Sequence, residues 1–144
     1  MMIKSLVFKE EPPAADEYVK MRKDAGWSVY KDMDAVRKGL ANSLYHIIVR
    51  KGSELIAMGR VVGDGSITFY IQDIIVSREY QGKGIGTVIM KRIMDFIYDT
   101  AADGAVVGLF AAKDKESFYK KFHFIIRPNE SGGSGMIQYR NRRF

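Results

Sequence analysis

The sequence predicts one α/β domain over residues 1–144, built on a mixed, largely antiparallel sheet of about six to seven strands flanked by about four helices. Three observations carry that expectation. Apolar runs in the first half are joined by short Gly-containing turns, as in hairpins. Runs in the second half are joined by helical patterns, as in crossovers. Between them Ile85, Val88, Ile89, Ile93, Phe96 and Ile97 repeat at the helical period, with Lys91, Arg92, Asp95 and Asp99 on the opposite face.

The elements follow in order. Met2–Phe8 is a first strand. Pro12-Pro13 breaks the chain and opens a helix over 14–25, stopped by Gly26. A second helix over 32–43 carries Val36 and Leu40 at i, i+4 spacing. Tyr45–Arg50 and Leu55–Val62 flank the turn Lys51-Gly52-Ser53 and form a hairpin. Ile67–Val76 is the next strand, and its apolar phase slips: Ile67, Phe69 and Ile71 alternate, then Asp73 interrupts and the pattern resumes at Ile74 and Val76. A slip of one residue within a strand is the mark of a β-bulge, and burial of both faces near the strand end is the alternative. After the long helix, the wholly apolar run Ala105–Phe110 suits a strand covered on both faces. A short helix over 114–121 with Asp114 as N-cap, a strand over Phe122–Arg127, the loop Ser131-Gly132-Gly133-Ser134-Gly135 and a last strand over Met136–Arg140 complete the chain.

Composition narrows the function classes. No apolar run approaches the ~18–20 residues of a membrane span, and the charged, alternating N-terminus reads as a strand rather than a secretion signal. With no Cys and only His46 and His123, thiolate chemistry is excluded and a metal site is not expected. A cytoplasmic location follows as the default. The net charge of +6 is scattered, apart from Arg140, Arg142 and Arg143, and no aromatic-basic interleaving points to nucleic acid.

The segment Gln81-Gly82-Lys83-Gly84-Ile85-Gly86 carries the chemistry. It lies where a strand passes into the long helix. Three glycines in five positions there let backbone amides approach an anion, and the helix aims its positive dipole end at the same place. A tight turn alone would need one glycine. A P-loop would require Ser or Thr after Lys83, where Gly84 stands. A dinucleotide fingerprint would place its third glycine one residue beyond Gly86.

The run Asp73-Ile-Ile-Val-Ser-Arg-Glu-Tyr-Gln-Gly-Lys-Gly-Ile-Gly86 and the segment Glu116-Ser-Phe-Tyr-Lys-Lys-Phe-His-Phe124 together resemble the GNAT superfamily of acyl-CoA-dependent N-acyltransferases, and the element order matches over the whole length. The resemblance implies acetyl-CoA as co-substrate, a primary amine as acceptor and direct attack in a ternary complex. It places the pyrophosphate on Gln81, Gly82, Lys83, Gly84, Ile85, Gly86 and Thr87, and the pantetheine arm along Ile74, Ile75 and Val76, with the acyl oxygen toward an N–H near Ile74. It matches Tyr119 to the acid that protonates the leaving thiolate, and Asp73 is the best-placed carboxylate for a base. Ala112 and Lys115 stand where the family often has Asn and a small residue. His123 stands where Gly is usual, at a position that often needs a left-handed backbone. The acceptor site falls to the first two helices and their connection, where Trp27 and Tyr30 are candidate walls. A non-catalytic acyl-CoA-binding or sensor module on the same fold is the alternative. The resemblance also allows a homodimer, and neither nucleic acid nor a membrane is an expected partner.

Overall fold

The computed structural model describes residues 5–140, so residues 2–4 of the expected first strand, together with Arg142 and Arg143, lie outside the described residues. Two compact units divide the chain, residues 1–109 and 110–144.

The first unit holds a five-stranded sheet in sequential order: β1 (Val7–Lys9), β2 (Tyr45–Lys51), β3 (Glu54–Gly63), β4 (Thr68–Val76) and β5 (Val106–Leu109). Neighbours pair antiparallel except β4 with β5, which is parallel because a helix intervenes. The helices are α1 (Ala15–Asp24), α2 (Met33–Ala41) and α3 (Ile85–Thr100). Their ends follow local chemistry. The Ala14 N–H donates to Glu17 at 3.1 Å at the start of α1, and Gly26 (φ +80°) follows its end. Asp32 accepts from the Ala35 N–H at 3.0 Å and caps α2. Lys51 faces Glu54 across a two-residue hairpin turn.

Two apolar layers sandwich the sheet. On one face Tyr18 and Met21 of α1 and Val36 and Leu40 of α2 pack with Ile48, Met58 and Ile75. On the other, α3 buries Ile85, Ile89, Met90, Ile93, Met94 and Ile97. Gly59 sets how closely α3 approaches. A methyl group there would sit 2.7 Å from Ile74 and 2.9 Å from both Ile89 and Ile93, so glycine is required for space.

The bulge lies where the phase slip put it. Met58 pairs with Ile75 and Arg60 with Gln72, so Gly59 opposes both Asp73 and Ile74. Asp73 takes φ +57°. This left-handed residue stays on the Gln72 side of the sheet while Ile74 returns to the α3 side.

Among its described residues the second unit carries one helix, α4 (Glu116–Lys120). Its N-cap is Lys115 rather than Asp114, which instead adopts φ +67°. Phe118 meets Tyr119 edge-on at 5.0 Å and Phe122 at 5.5 Å. His123 has φ +70°, the left-handed backbone its position called for.

Among the described residues the expected six to seven strands become five. Neither 122–127 nor 136–140 is a strand, although both carry β-favouring residues. A strand exists only with a partner ladder, and the turn between these segments satisfies its polar groups locally. The Asn129 side chain accepts from the Ser131 and Gly132 N–H groups, and Arg127 donates to the Gly133 carbonyl at 2.7 Å. β5 is correspondingly the last strand of the sheet instead of an interior one, and Val106 is 65% exposed.

Candidate functional site

The loop after β4 is shaped by two glycines. Gly82 (φ +75°) and Gly84 (φ +86°) both occupy the left-handed region. A Cβ at Gly82 would meet nothing within 4 Å, so backbone conformation rather than packing requires that glycine. Gly84 is the N-cap of α3 and offers no side chain to it, and the first turn contains no acidic residue. The opening amides of a helix have no intrahelical acceptor. Those of Ile85, Gly86 and Thr87 therefore form a positive cradle with no internal anion competing for it. Lys83 is exposed beside it, Gly86 and Thr87 are half-buried, and Ile85 is buried and anchors the turn. The Gln81 side chain does something the sequence did not suggest: its amide donates to the Val76 carbonyl at 2.9 Å, tying the loop to the end of β4. This donor set, made of amides, a helix terminus and one lysine, fits a diphosphate.

Upstream, the bulge is locked by a buried polar cluster. The Arg22 guanidinium donates to one Asp73 oxygen at 2.6 Å. Arg60 and the Tyr18 hydroxyl donate to the other at 2.8 and 2.7 Å. The Asp73 carboxylate has no solvent exposure. Arg22 also donates to the carbonyl and hydroxyl of Ser28 and lies against the rings of Tyr18, Trp27 and Tyr30 at 5.9, 5.4 and 4.9 Å. Arg60 reaches the Ser43 hydroxyl at 2.9 Å. Burial, followed by the Asp73 charge, pushes the Tyr18 phenol up to about 12, so it remains a neutral donor.

Arg60 and Tyr18 lead from this cluster to a cavity of about 190 Å³ beside α2. Tyr30, Val36, Gly39 and Leu40 also line it, with Val36 and Leu40 buried and Tyr30 and Gly39 exposed. Tyr30, one of the two candidate walls, is among the residues that line it. Trp27 does not line the cavity; it packs on Arg22 and the α1–α2 core.

Ile74 lies half-buried under α3, Ile75 is buried in the α1–α2 layer, and Val76 is half-buried at the strand end. Tyr119 sits on α4 in the second unit, edge-on to Phe124 at 6.4 Å, and burial raises its phenol above the ordinary 10.0. Among the described residues no three His, Asp or Glu side chains gather as a metal site, and no helix is long and apolar enough to cross a membrane.

Sequence reasoning missed Arg22, Arg60, Tyr18, Ser28 and Ser43. One signal was available. Arg60 interrupts an otherwise apolar strand, and Arg22 sits beside the buried face of an amphipathic helix. A guanidinium in such a place requires a buried carboxylate, and Asp73 is the carboxylate displaced from its own strand pattern.

The acetyltransferase (GNAT) domain profile matches residues 24–126. A relative from Pyropia yezoensis named uncharacterized N-acetyltransferase ycf52 is 31% identical over 118 residues, 79% of this chain and 65% of that protein. A Prochlorococcus marinus relative, named ycf52-like, is 30% identical over 78% of this chain and 63% of its own length. The chain therefore spans just under two thirds of the curated relatives it matches. Among solved structures, a Staphylococcus aureus protein of unknown function, described as a probable acetyltransferase, superposes with a TM-score of 0.83 at 36% identity, covering 93% of this chain and 99% of that one. A Streptococcus pneumoniae GNAT-family protein shares the fold, with a TM-score of 0.77 at 23% identity over 95% of this chain and 99% of its own. By profile, sequence and fold alike, the chain belongs to the GNAT acetyltransferase family.

Proposed function

We propose that this chain is an N-acetyltransferase that moves an acetyl group from acetyl-CoA to a primary amine by direct attack in a ternary complex. One observation carries the reading. A pair of left-handed glycines opens an uncapped helix N-terminus, and Gln81 fastens that turn to a strand that is bulged a few residues earlier. A diphosphate grip and a strand with freed backbone groups are what a long acyl-CoA needs at once.

Acetyl-CoA supplies the activated thioester. The amides of Ile85, Gly86 and Thr87, the turn at Gly82 and Gly84, and the Lys83 ammonium hold its diphosphate. Backbone groups of Ile74, Ile75 and Val76 hold the pantetheine arm, and an N–H near Ile74 stabilises negative charge on the acyl oxygen. One N–H of the Gln81 side chain ties the loop to the Val76 carbonyl, and its second N–H remains a donor for the diphosphate. Tyr119, by its match to the family segment, donates a proton to the departing sulfur. Its raised pKa keeps it protonated through the physiological range, the form an acid starts from. Asp73 is a positioning residue in this scheme. Its carboxylate has no solvent exposure and is gripped by three buried donors, so it is not open to an incoming ammonium; that proton passes to water.

Thiol release from acetyl-CoA over an amine panel tests the reading. Turnover is expected, and Gly84→Asp should abolish coenzyme binding by placing bulk and negative charge in the cradle. Retained coenzyme affinity in that variant defeats the loop assignment. Coenzyme binding without turnover of any amine favours a non-catalytic acyl-CoA-binding module.

A further inference from the structure

The charge of the cavity beside α2 narrows the acceptor, given the transferase reading above. Its lining contains one charged residue, Arg60, and no carboxylate. Asp73 offsets only one of the two guanidiniums that grip it, so the cluster behind the wall keeps one positive charge. Arg22 is wrapped by three aromatic rings and Ser28, which leaves Arg60 as the cation that faces the space. His46, the cross-strand partner of Arg60, adds no second charge: burial holds its imidazole below the ordinary value. Tyr18 stays neutral and supplies no anion.

Size narrows it further. A dry cavity of about 150 Å³ accommodates benzene. The space here, about 190 Å³ and open on one side, takes one ring or one branched aliphatic group. Val36 and Leu40 supply an apolar lining for such a group.

We propose that the acceptor is a compact amine carrying its own carboxylate, in class an apolar α-amino acid, with the carboxylate on Arg60 and the side chain over Val36 and Leu40. The same charge disfavours polycationic acceptors. In the transfer, the ammonium first gives a proton to water. The nitrogen lone pair then forms the C–N bond as the C–S bond breaks, the thiolate takes one proton, and the new amide sheds its second, for a net release of one proton.

The test compares L-phenylalanine and L-leucine with their amides, phenethylamine and spermidine as acceptors at saturating acetyl-CoA. A parallel thermal-shift titration uses N-acetyl-L-phenylalanine and its amide as non-reacting probes. The free acids should exceed their amides at least tenfold in kcat/KM, and only the acidic probe should raise the melting temperature. Amides or phenethylamine equal to the acids, or spermidine as the best acceptor, overturns the inference while the transferase reading survives. If no amine is turned over, the transferase reading fails, and the probes still decide the cavity. Protection by the acidic probe alone supports an anion-selecting pocket; equal protection by both, or by neither, refutes it.

Discussion

Replacing Asp73 with Asn separates a base from an organising residue. The substitution keeps the shape, and Asn tolerates the left-handed backbone at φ +57°. Its electrostatic effect is large. Arg22 donates to one oxygen, while Arg60 and Tyr18 share the other. An amide has one accepting oxygen, so its NH2 must face either Arg22 or the Arg60–Tyr18 pair, donor against donor. Two guanidiniums would then be buried with no anion between them. Breaking a buried pair from one side costs about 3–5 kcal/mol, a large share of the roughly 5–15 kcal/mol that stabilises a domain. At about 3 °C per kcal/mol for a chain of this size, the melting temperature should fall by about 10–15 °C. Differential scanning calorimetry, with circular dichroism to confirm the native fold at low temperature, reads this directly. A variant melting within about 2 °C of the parent, with its turnover lost, would refute the reasoning and restore Asp73 as a base.

Other outcomes follow from the same geometry. Tyr119→Phe should lower kcat by roughly 10²-fold with coenzyme affinity unchanged; because burial raises the phenol above 10.0, the parent should show no alkaline loss from this group below pH 10. An unaltered rate would return Tyr119 to a packing role beside Phe118 and Phe124. Gly39→Leu places a side chain in the cavity from a position where a Cβ meets nothing within 4 Å. Helix propensity favours the change by about 0.5–1 kcal/mol, so stability should hold while KM for the amine rises and coenzyme Kd stays constant. Glu17 lies 2.7 and 2.8 Å from Arg50, and that hydrogen-bonded pairing holds its carboxyl below the ordinary 4.5. A depressed folded pKa contributes stability above 4.5 that is lost as pH falls through the folded value. Denaturant midpoints of the parent and Glu17→Gln should therefore differ at pH 7 and converge in acid; a constant gap would remove the pairing as the cause.

Much of this was legible in the chain because it is local. The glycine turn, the period of α3, the hairpin at Gly52 and the phase slip at Asp73 are each set by a few consecutive residues. Their physics is backbone conformation or side-chain periodicity, which sequence records directly. The left-handed site at His123 was readable for the same reason. What failed to carry over depends on partners distant in the chain. Segments 122–127 and 136–140 have strand composition, yet a ladder is a property of two segments and composition describes one. Arg22 and Asp73 are 51 residues apart, and Tyr18 and Asp73 are 55 apart. Read singly, none of them names the other two as its partners. Only the packing of α1 onto the bulged strand turns them into one buried cluster and directs Arg60 toward the space beside α2. The sequence by itself determined a glycine turn at the start of a helix and a family; the tertiary structure decided that three buried donors grip Asp73 and set Arg60 beside the cavity, because burial makes pairing obligatory and distance along the chain does not reveal it.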